Sequence, residues 1–449
     1  MPPASVSPEF EPPPAMVGRA NVGVSLRSNV QWALIGNVVY SVCQWAILIV
    51  LAKLGTPESV GQFALGLAVT APVMLFANLQ LGALQATDAR REYRFGHYLA
   101  LRIVMTGLAL AVIAGLALGV GYNPVTAAVV LAVGVAKAFE MISDAYHGLM
   151  QQHRRMERVA WSLMLKGAIS VSAVTSWMYL DGSVIGAAIA LAATWGLLFV
   201  GFDLRSPAWL RKVEPGCREE AFAPCWDWTI LSKLAWQALP LGVRVVLFTL
   251  SFNIPRYFVE DYLGAEQLGI FAALAYVTVV GQVVSNSLGQ AAAPRLASHY
   301  AAGEMRAFRL LVLKLAGAGA VLGIGGVGLA MVAGRPILAL LYKPEYAQHA
   351  DLFAWIMAAA GLWCVTTMFV AAANAARRNS SQAFAGIAVV IATLGSSAVL
   401  IRSQGLGGAA TACVIGGAVG VLAFGTIFLT IGKGPSESSR GHEEFAGGL

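Results

Sequence analysis

Charge is the scarcest property of this sequence. Only 12% of its 449 residues are Asp, Glu, Lys or Arg, while 58% are hydrophobic. Soluble globular chains carry roughly 25% charged residues. Half that share cannot solvate a soluble surface of this size, which excludes a cytoplasmic enzyme and a disordered polypeptide. Cysteine is scarce too. Its copies, Cys43, Cys217, Cys225, Cys364 and Cys413, are scattered. Neither a disulfide scaffold nor a metal-ligand spacing results, and they read as free thiols. No P-loop is present, so the chain does not hydrolyse ATP itself. The Pro-rich first 25 residues lack an apolar h-region and read as a tail rather than a signal peptide.

What is abundant is long, continuous apolar sequence, without the alternation of a membrane β-barrel. A membrane helix needs about 20 mostly apolar residues. Scanning at that length predicts twelve spans, at about 29–52, 61–84, 98–120, 124–149, 158–180, 183–202, 233–260, 265–290, 307–331, 349–374, 382–401 and 406–431. Breakers divide them: Gly55-Thr56-Pro57, Asn123-Pro124 and Asp181-Gly182. Lys and Arg concentrate on one side, in segments holding Arg90, Arg91, Arg154, Arg155, Arg211 and Lys212, while the other side holds Lys53, Arg335, Lys343 and Arg402. The positive-inside rule places both termini in the cytoplasm. It also explains the net charge of +7 without nucleic acid.

The chain repeats itself. Leu54-Gly55-Thr56-Pro57-Glu58-Ser59-Val60-Gly61-Gln62-Phe63-Ala64 returns half a chain later as Leu263-Gly264-Ala265-Glu266-Gln267-Leu268-Gly269-Ile270-Phe271-Ala272. Extending the match sets Asn78 over Asn286. The expected organisation is therefore all-α and polytopic, in two parallel six-helix lobes. A cytoplasmic tail (1–27) precedes an N-lobe (28–203); a linker (204–232) leads to a C-lobe (233–432) and a second cytoplasmic tail (433–449).

The first span, the Leu-Gly-Thr-Pro-Glu-Ser-Val-Gly-Gln-Phe turn and the run Asp88-Ala89-Arg90-Arg91-Glu92-Tyr93-Arg94 resemble the polysaccharide (Wzx-type) flippases. These belong to the multidrug/oligosaccharidyl-lipid/polysaccharide (MOP) exporter superfamily. The resemblance implies a MATE-like fold and a bacterial inner-membrane location. It implies transfer of an undecaprenyl-diphosphate-linked oligosaccharide, an O-antigen or exopolysaccharide unit, to the outer leaflet. Its partners would be that lipid, membrane lipids, a polysaccharide polymerase and a chain-length regulator. It brings no catalytic signature and no cofactor beyond a coupling H⁺ or Na⁺.

Candidate site residues come from the cost of charge in a bilayer, at least ~2.5–3.5 kcal/mol at its centre. Lys137, Glu140, Asp144 and His147 recur at helical spacing on one face of the fourth span. Lys137 is expected ~18 Å deep, near the midplane. It would attract an anionic headgroup, while Glu140 or Asp144 takes up the coupling ion; a self-neutralised Lys137–Glu140 pair is the structural alternative. Arg244 and Arg256, realigned by a kink at Pro255, would bind diphosphate through planar guanidinium forks. Lys166 and Lys314 are further headgroup candidates that can also snorkel. Arg102 is expected at the interface. Asn37, Gln44, Asn78, Gln282 and Asn286 would line a polar cavity. Gly323-x-Gly325-x-x-Gly328 lies inside a span and reads as helix packing, not as a nucleotide site.

The expected interior carries excess positive charge, which favours an anionic lipid over the cations of a drug antiporter with the same fold. A membrane polysaccharide polymerase or ligase would need a large outer loop, and every predicted outer connection is short.

Overall fold

The computed structural model describes residues 26–87, 92–213, 222–376 and 378–431. Residues 1–25 of the expected first tail, the whole of the second, the run at 88–91 and Cys217 lie outside them.

Every element among the described residues is helical. In chain order these are α1 (Leu26–Leu54), α2 (Pro57–Asn78), α3 (Leu81–Thr87), α4 (Phe95–Gly119), α5 (Pro124–Gln152), α6 (Met156–Leu180), α7 (Val184–Leu198), a π-helical turn (Phe199–Asp203), and α8 (Ser206–Val213). Then follow α9 (Trp228–Tyr276), α10 (Val279–Ala301), α11 (Met305–Leu341), α12 (Pro344–Ala347), α13 (Ala350–Ala375), α14 (Asn379–Gln404) and α15 (Leu406–Ile431). The breakers read from the sequence act as caps. Thr56 Oγ1 accepts from the Ser59 N–H at 3.2 Å, with Pro57 opening α2. Asn123 Oδ1 accepts from the Thr126 N–H at 2.7 Å, with Pro124 opening α5. Both meet orphan donors that a helix start otherwise leaves unpaired in lipid.

Among the described residues ten helices are long and apolar enough to cross a membrane, and a bent pair, Trp228–Pro240 with Val245–Tyr276, makes eleven. The span expected at 265–290 has a different build. Gly264, at φ 83°, breaks α9, so Ala265–Tyr276 starts a new direction that ends at Val277 and Thr278 and resumes as α10. Its second piece, with Gln282, Asn286, Gln290 and Arg295, is too polar to read as a simple span. The bend in α9 is 57° and falls after Pro240, not at the expected Pro255. Large apolar side chains such as Val332 (88% exposed), Met331, Ile324, Leu118 and Leu422 face outward. A bundle solvated by lipid presents such a surface.

The repeat gains meaning in three dimensions, because its two copies touch. A Cβ placed on Gly61 would stand 1.7 Å from the Ala265 carbonyl oxygen and 2.9 Å from the Gly269 nitrogen. A Cβ on Gly269 would stand 1.8 Å from the Pro57 carbonyl oxygen and 2.9 Å from the Gly61 nitrogen. Pro57 and Ala265 are themselves counterparts in the repeat, so the contact is reciprocal. Only glycine lets the two backbones approach this closely. A hydrophobic core continues from the crossing into both halves, joining Ile47, Leu51, Val60 and Phe63 to Leu268, Phe271, Tyr342 and Ile401. Lys343 Nζ donates to the Gly55 carbonyl at 2.5 Å, and Tyr342 OH donates to the Ala273 carbonyl at 2.8 Å while accepting from Trp45 Nε1 at 3.3 Å. Burial pushes the Tyr342 phenol up to about 12, so it serves as a neutral donor. Towards the other end each half also has a core of its own, Phe95, Tyr146 and Leu149 in the first and Leu296, Phe308, Phe424 and Phe428 in the second, while a further cluster joins Leu79, Tyr98 and Leu101 to Leu234 and Ala238 at the start of α9. Gly323 of α11 packs on the backbone of Gly361 in α13, so the glycine-rich triplet does begin with a helix-packing contact.

Candidate functional site

The polar face of α5 is built as two linked clusters. In the first, Lys137 Nζ pairs with Glu140 Oε2 at 2.7 Å, one turn away. The hydroxyl of Tyr40 on α1 donates to Glu140 Oε1, and Gln44 Nε2 donates to that hydroxyl at 2.6 Å. Lys137 also stands 4.9 Å over the ring of Trp195 on α7. Lys137 and Glu140 are each 23% exposed, so this neutral pair is partly open.

In the second cluster, Asp144 Oδ2 accepts from Asn78 Nδ2 of α2 at 3.1 Å, and its other oxygen lies 3.7 Å from His147 Nδ1. His147 Nε2 lies 3.4 Å from Asp203 Oδ1 and 3.1 Å from Ser162 Oγ. Ser162 donates to Asp203 at 2.7 Å, and Lys166 Nζ pairs with Asp203 Oδ2 at 2.7 Å. Lys166 and Asp203 are buried completely, whereas Asp144 is 41% exposed. A chain of ionisable groups thus runs from an open carboxylate to a closed ion pair, crossing α2, α5, α6 and the π turn. The turn places Asp203: the Leu204 N–H reaches back five residues to the Phe199 carbonyl at 2.8 Å. Such single π turns recur at functional sites.

Sequence reasoning missed Asp203. The available signal was an acid at the end of an apolar run, with Lys166 deep in the preceding span and lacking a partner. It also misplaced Arg102. That side chain is 1% exposed, buried among helices rather than reaching the interface, and its Nε and Nη1 have no hydrogen-bond partner among the described residues.

Of the other expected cations, only Lys166 belongs to these clusters. Lys166 is locked on Asp203, and Lys314 is exposed on α11 rather than buried. Arg256 donates to Asn253 Oδ1 at 3.0 Å and lies 5.5 Å over the Tyr276 ring, within the second half. The Arg244 side chain lies outside the described residues. The expected excess of positive charge therefore shrinks among the described residues, since Lys137 and Lys166 are paired with acids and Arg102 lies close enough to Asp144 for their charges to interact. Asn37 donates to its own helix at the Ala33 carbonyl and is exposed, while Gln44 and Asn78 belong to the α5 clusters. Gln282 and Asn286 line a separate cavity of about 250 Å³ in the second half. The four described cysteines are free thiols.

A family model described as polysaccharide biosynthesis protein matches residues 26–299. The capsular polysaccharide biosynthesis protein CapF of Staphylococcus aureus is 26% identical over 72% of this chain and 78% of its own length. Among solved structures, the inward-facing conformation of a multidrug resistance MATE family transporter of the MOP superfamily covers 90% of this chain and 100% of its own, with TM-score 0.73 and 15% identity. The lipid II flippase MurJ, in an inward closed conformation, covers 90% of this chain and 88% of its own, with TM-score 0.69 and 10% identity.

Proposed function

The chain belongs to the polysaccharide biosynthesis protein family, and from that premise we propose that it is a flippase rather than an enzyme. It moves an undecaprenyl-diphosphate-linked oligosaccharide from the inner to the outer leaflet of a bacterial inner membrane by alternating access between two six-helix lobes. On the orientation that the positive-inside rule gives, with both termini cytoplasmic, the glycine crossing and the Lys343 and Tyr342 contacts beside it lie at the outer end of the bundle and support a closed outer side.

The observation that carries the reading is the Lys137–Glu140 pair, half-open on the α5 face. A diphosphate that reaches Lys137 competes with Glu140 for the same ammonium. Proton uptake by Glu140 removes the competitor and frees the lysine. Substrate and proton are then linked at one pair of atoms, each favouring the binding of the other. Phosphate recognition thus rests on Lys137, with the buried Arg102 and the half-buried Arg256 as further guanidinium groups, and not on five cations sharing one chamber. A drug/cation antiporter of this fold would need an acidic, aromatic-lined lobe, and no described residue lining the second-half cavity is acidic.

Proteoliposomes holding the lipid-linked oligosaccharide test this. Wild-type transfer should respond to an imposed proton gradient. Glu140→Gln should bind the lipid with a pH dependence at least about ten-fold weaker and lose the gradient response, and Lys137→Ala should lose transfer. Gradient-insensitive transfer by the wild type rejects coupling here, and unimpaired transfer by Lys137→Ala rejects the headgroup site.

A further inference from the structure

In the second half, α9, α10, α13, α14 and α15 line a cavity of about 250 Å³. Its walls are of two chemical kinds. Phe248, Phe252 and Trp363 form one aromatic cluster, with ring centroids 5.1, 5.4 and 4.2 Å apart. Beside them stand the amides of Gln282 and Asn286, one turn apart on α10. No described lining residue is ionisable. Other polar lining groups are already engaged: Gln382 donates to Asn374 Oδ1 at 3.1 Å, and Thr367 donates to the Trp363 carbonyl at 2.9 Å. The Gln282 and Asn286 side chains make no hydrogen bond to any described residue, though each offers two donors and an acceptor. At membrane depth such groups are costly unless something bonds them. The cavity therefore fits a molecule with an apolar C–H face, a hydroxyl edge and no charge. A sugar ring has that surface.

We propose that this cavity is the saccharide subsite: a neutral sugar of the lipid-linked substrate packs its C–H face on the Phe248–Phe252–Trp363 cluster and bonds its hydroxyls to Gln282 and Asn286. The inference rests on the flippase reading above and adds a division of labour. Charge is handled on α5 of the first half, and sugar in the second.

Full-length protein in nanodiscs, titrated with two probes, tests it: undecaprenyl diphosphate, and the same lipid bearing a neutral hexose trisaccharide. The wild type should bind the sugar-bearing lipid more tightly. Gln282→Leu with Asn286→Leu should weaken that binding about ten-fold and leave the bare lipid unchanged. Asn286→Gln alone, which keeps an amide, should retain most of the affinity. Phe248→Leu gives a second, independent variant, expected to weaken only the sugar-bearing lipid. Equal weakening of both lipids, or of neither, overturns the subsite and leaves the flippase reading standing. A wild type that binds neither lipid overturns both. Tetraphenylphosphonium binding that Phe248→Leu abolishes, with no preference for the sugar-bearing lipid, identifies a cation cavity and also overturns the subsite.

Discussion

The reciprocal contact between Gly61 and Gly269 allows a sharp test of how the halves are joined. In Gly61→Ala the new methyl would stand 1.7 Å from the Ala265 carbonyl oxygen. Carbon and oxygen approach to about 3.3 Å at closest, so the two backbones must part by about 1.5 Å. The obstacle is main chain, and no rotamer change relieves it. Overpacking of this kind costs about 1–3 kcal/mol, and the upper end applies because Val60, Phe63, Leu268 and Phe271 pack around the same point. Gly269→Ala meets the Pro57 carbonyl at 1.8 Å and should cost the same. The double variant should cost less than the sum, since the first methyl already opens the gap that the second needs. Two readouts suffice: the unfolding midpoint in nanodiscs, and maleimide labelling of a cysteine at Ala64, a fully buried position on α2, in a background lacking the five native cysteines. Both single variants should lower the midpoint to a similar degree and speed labelling. Single variants that match the parent in both readouts, or a fully additive double variant, would refute the contact.

Two further outcomes concern buried charge. Lys166→Met or Asp203→Leu alone should destabilise by about 3–5 kcal/mol, because each takes the opposite charge from a buried group, while the double variant should recover most of the loss; thermal unfolding of the three proteins checks this, and a double variant as unstable as the singles would contradict it. Arg102→Leu should leave stability unchanged or raised, since two donors of that guanidinium are unmet, yet impair transfer of the lipid-linked oligosaccharide; a marked fall in the unfolding midpoint would show that Arg102 is structurally bonded after all.

Much of this architecture is legible in the sequence because lipid imposes simple rules. Thr56-Pro57 and Asn123-Pro124 are visible as helix starts, since few other residues satisfy orphan N–H groups without water. The α5 face is visible because Lys137, Glu140, Asp144 and His147 follow helical spacing, and the structure gathers Asn78 and Gln44 around them. What stays hidden depends on partners distant in the chain or on departures from α geometry. Asp203 acquires its place only through a π turn, which local propensity does not announce. Arg102 lies one to two turns inside α4, the position from which a long side chain ordinarily reaches the interface; its burial is decided by neighbouring helices. Lys314 shows the opposite error, being exposed where depth along its helix suggested burial. The break after Thr278 is equally silent, for no proline or glycine stands at it.

The π turn at Phe199–Asp203 has a consequence for how the two halves are strung together. Winding five residues with one extra per turn shifts the angular phase of everything that follows by roughly 100°. The strut that leaves the first half, α8, owes its heading to that offset: Leu210 is sunk among Phe95, Leu149 and Phe222, and Arg158 clasps the Phe202 carbonyl at 3.1 Å. The Lys166–Asp203 pair fastens the last residue of that turn, so it sits at the root of the strut. A single interior ion pair thereby bears on the angle at which α8 departs from the first half, as a key sets the angle of a shaft.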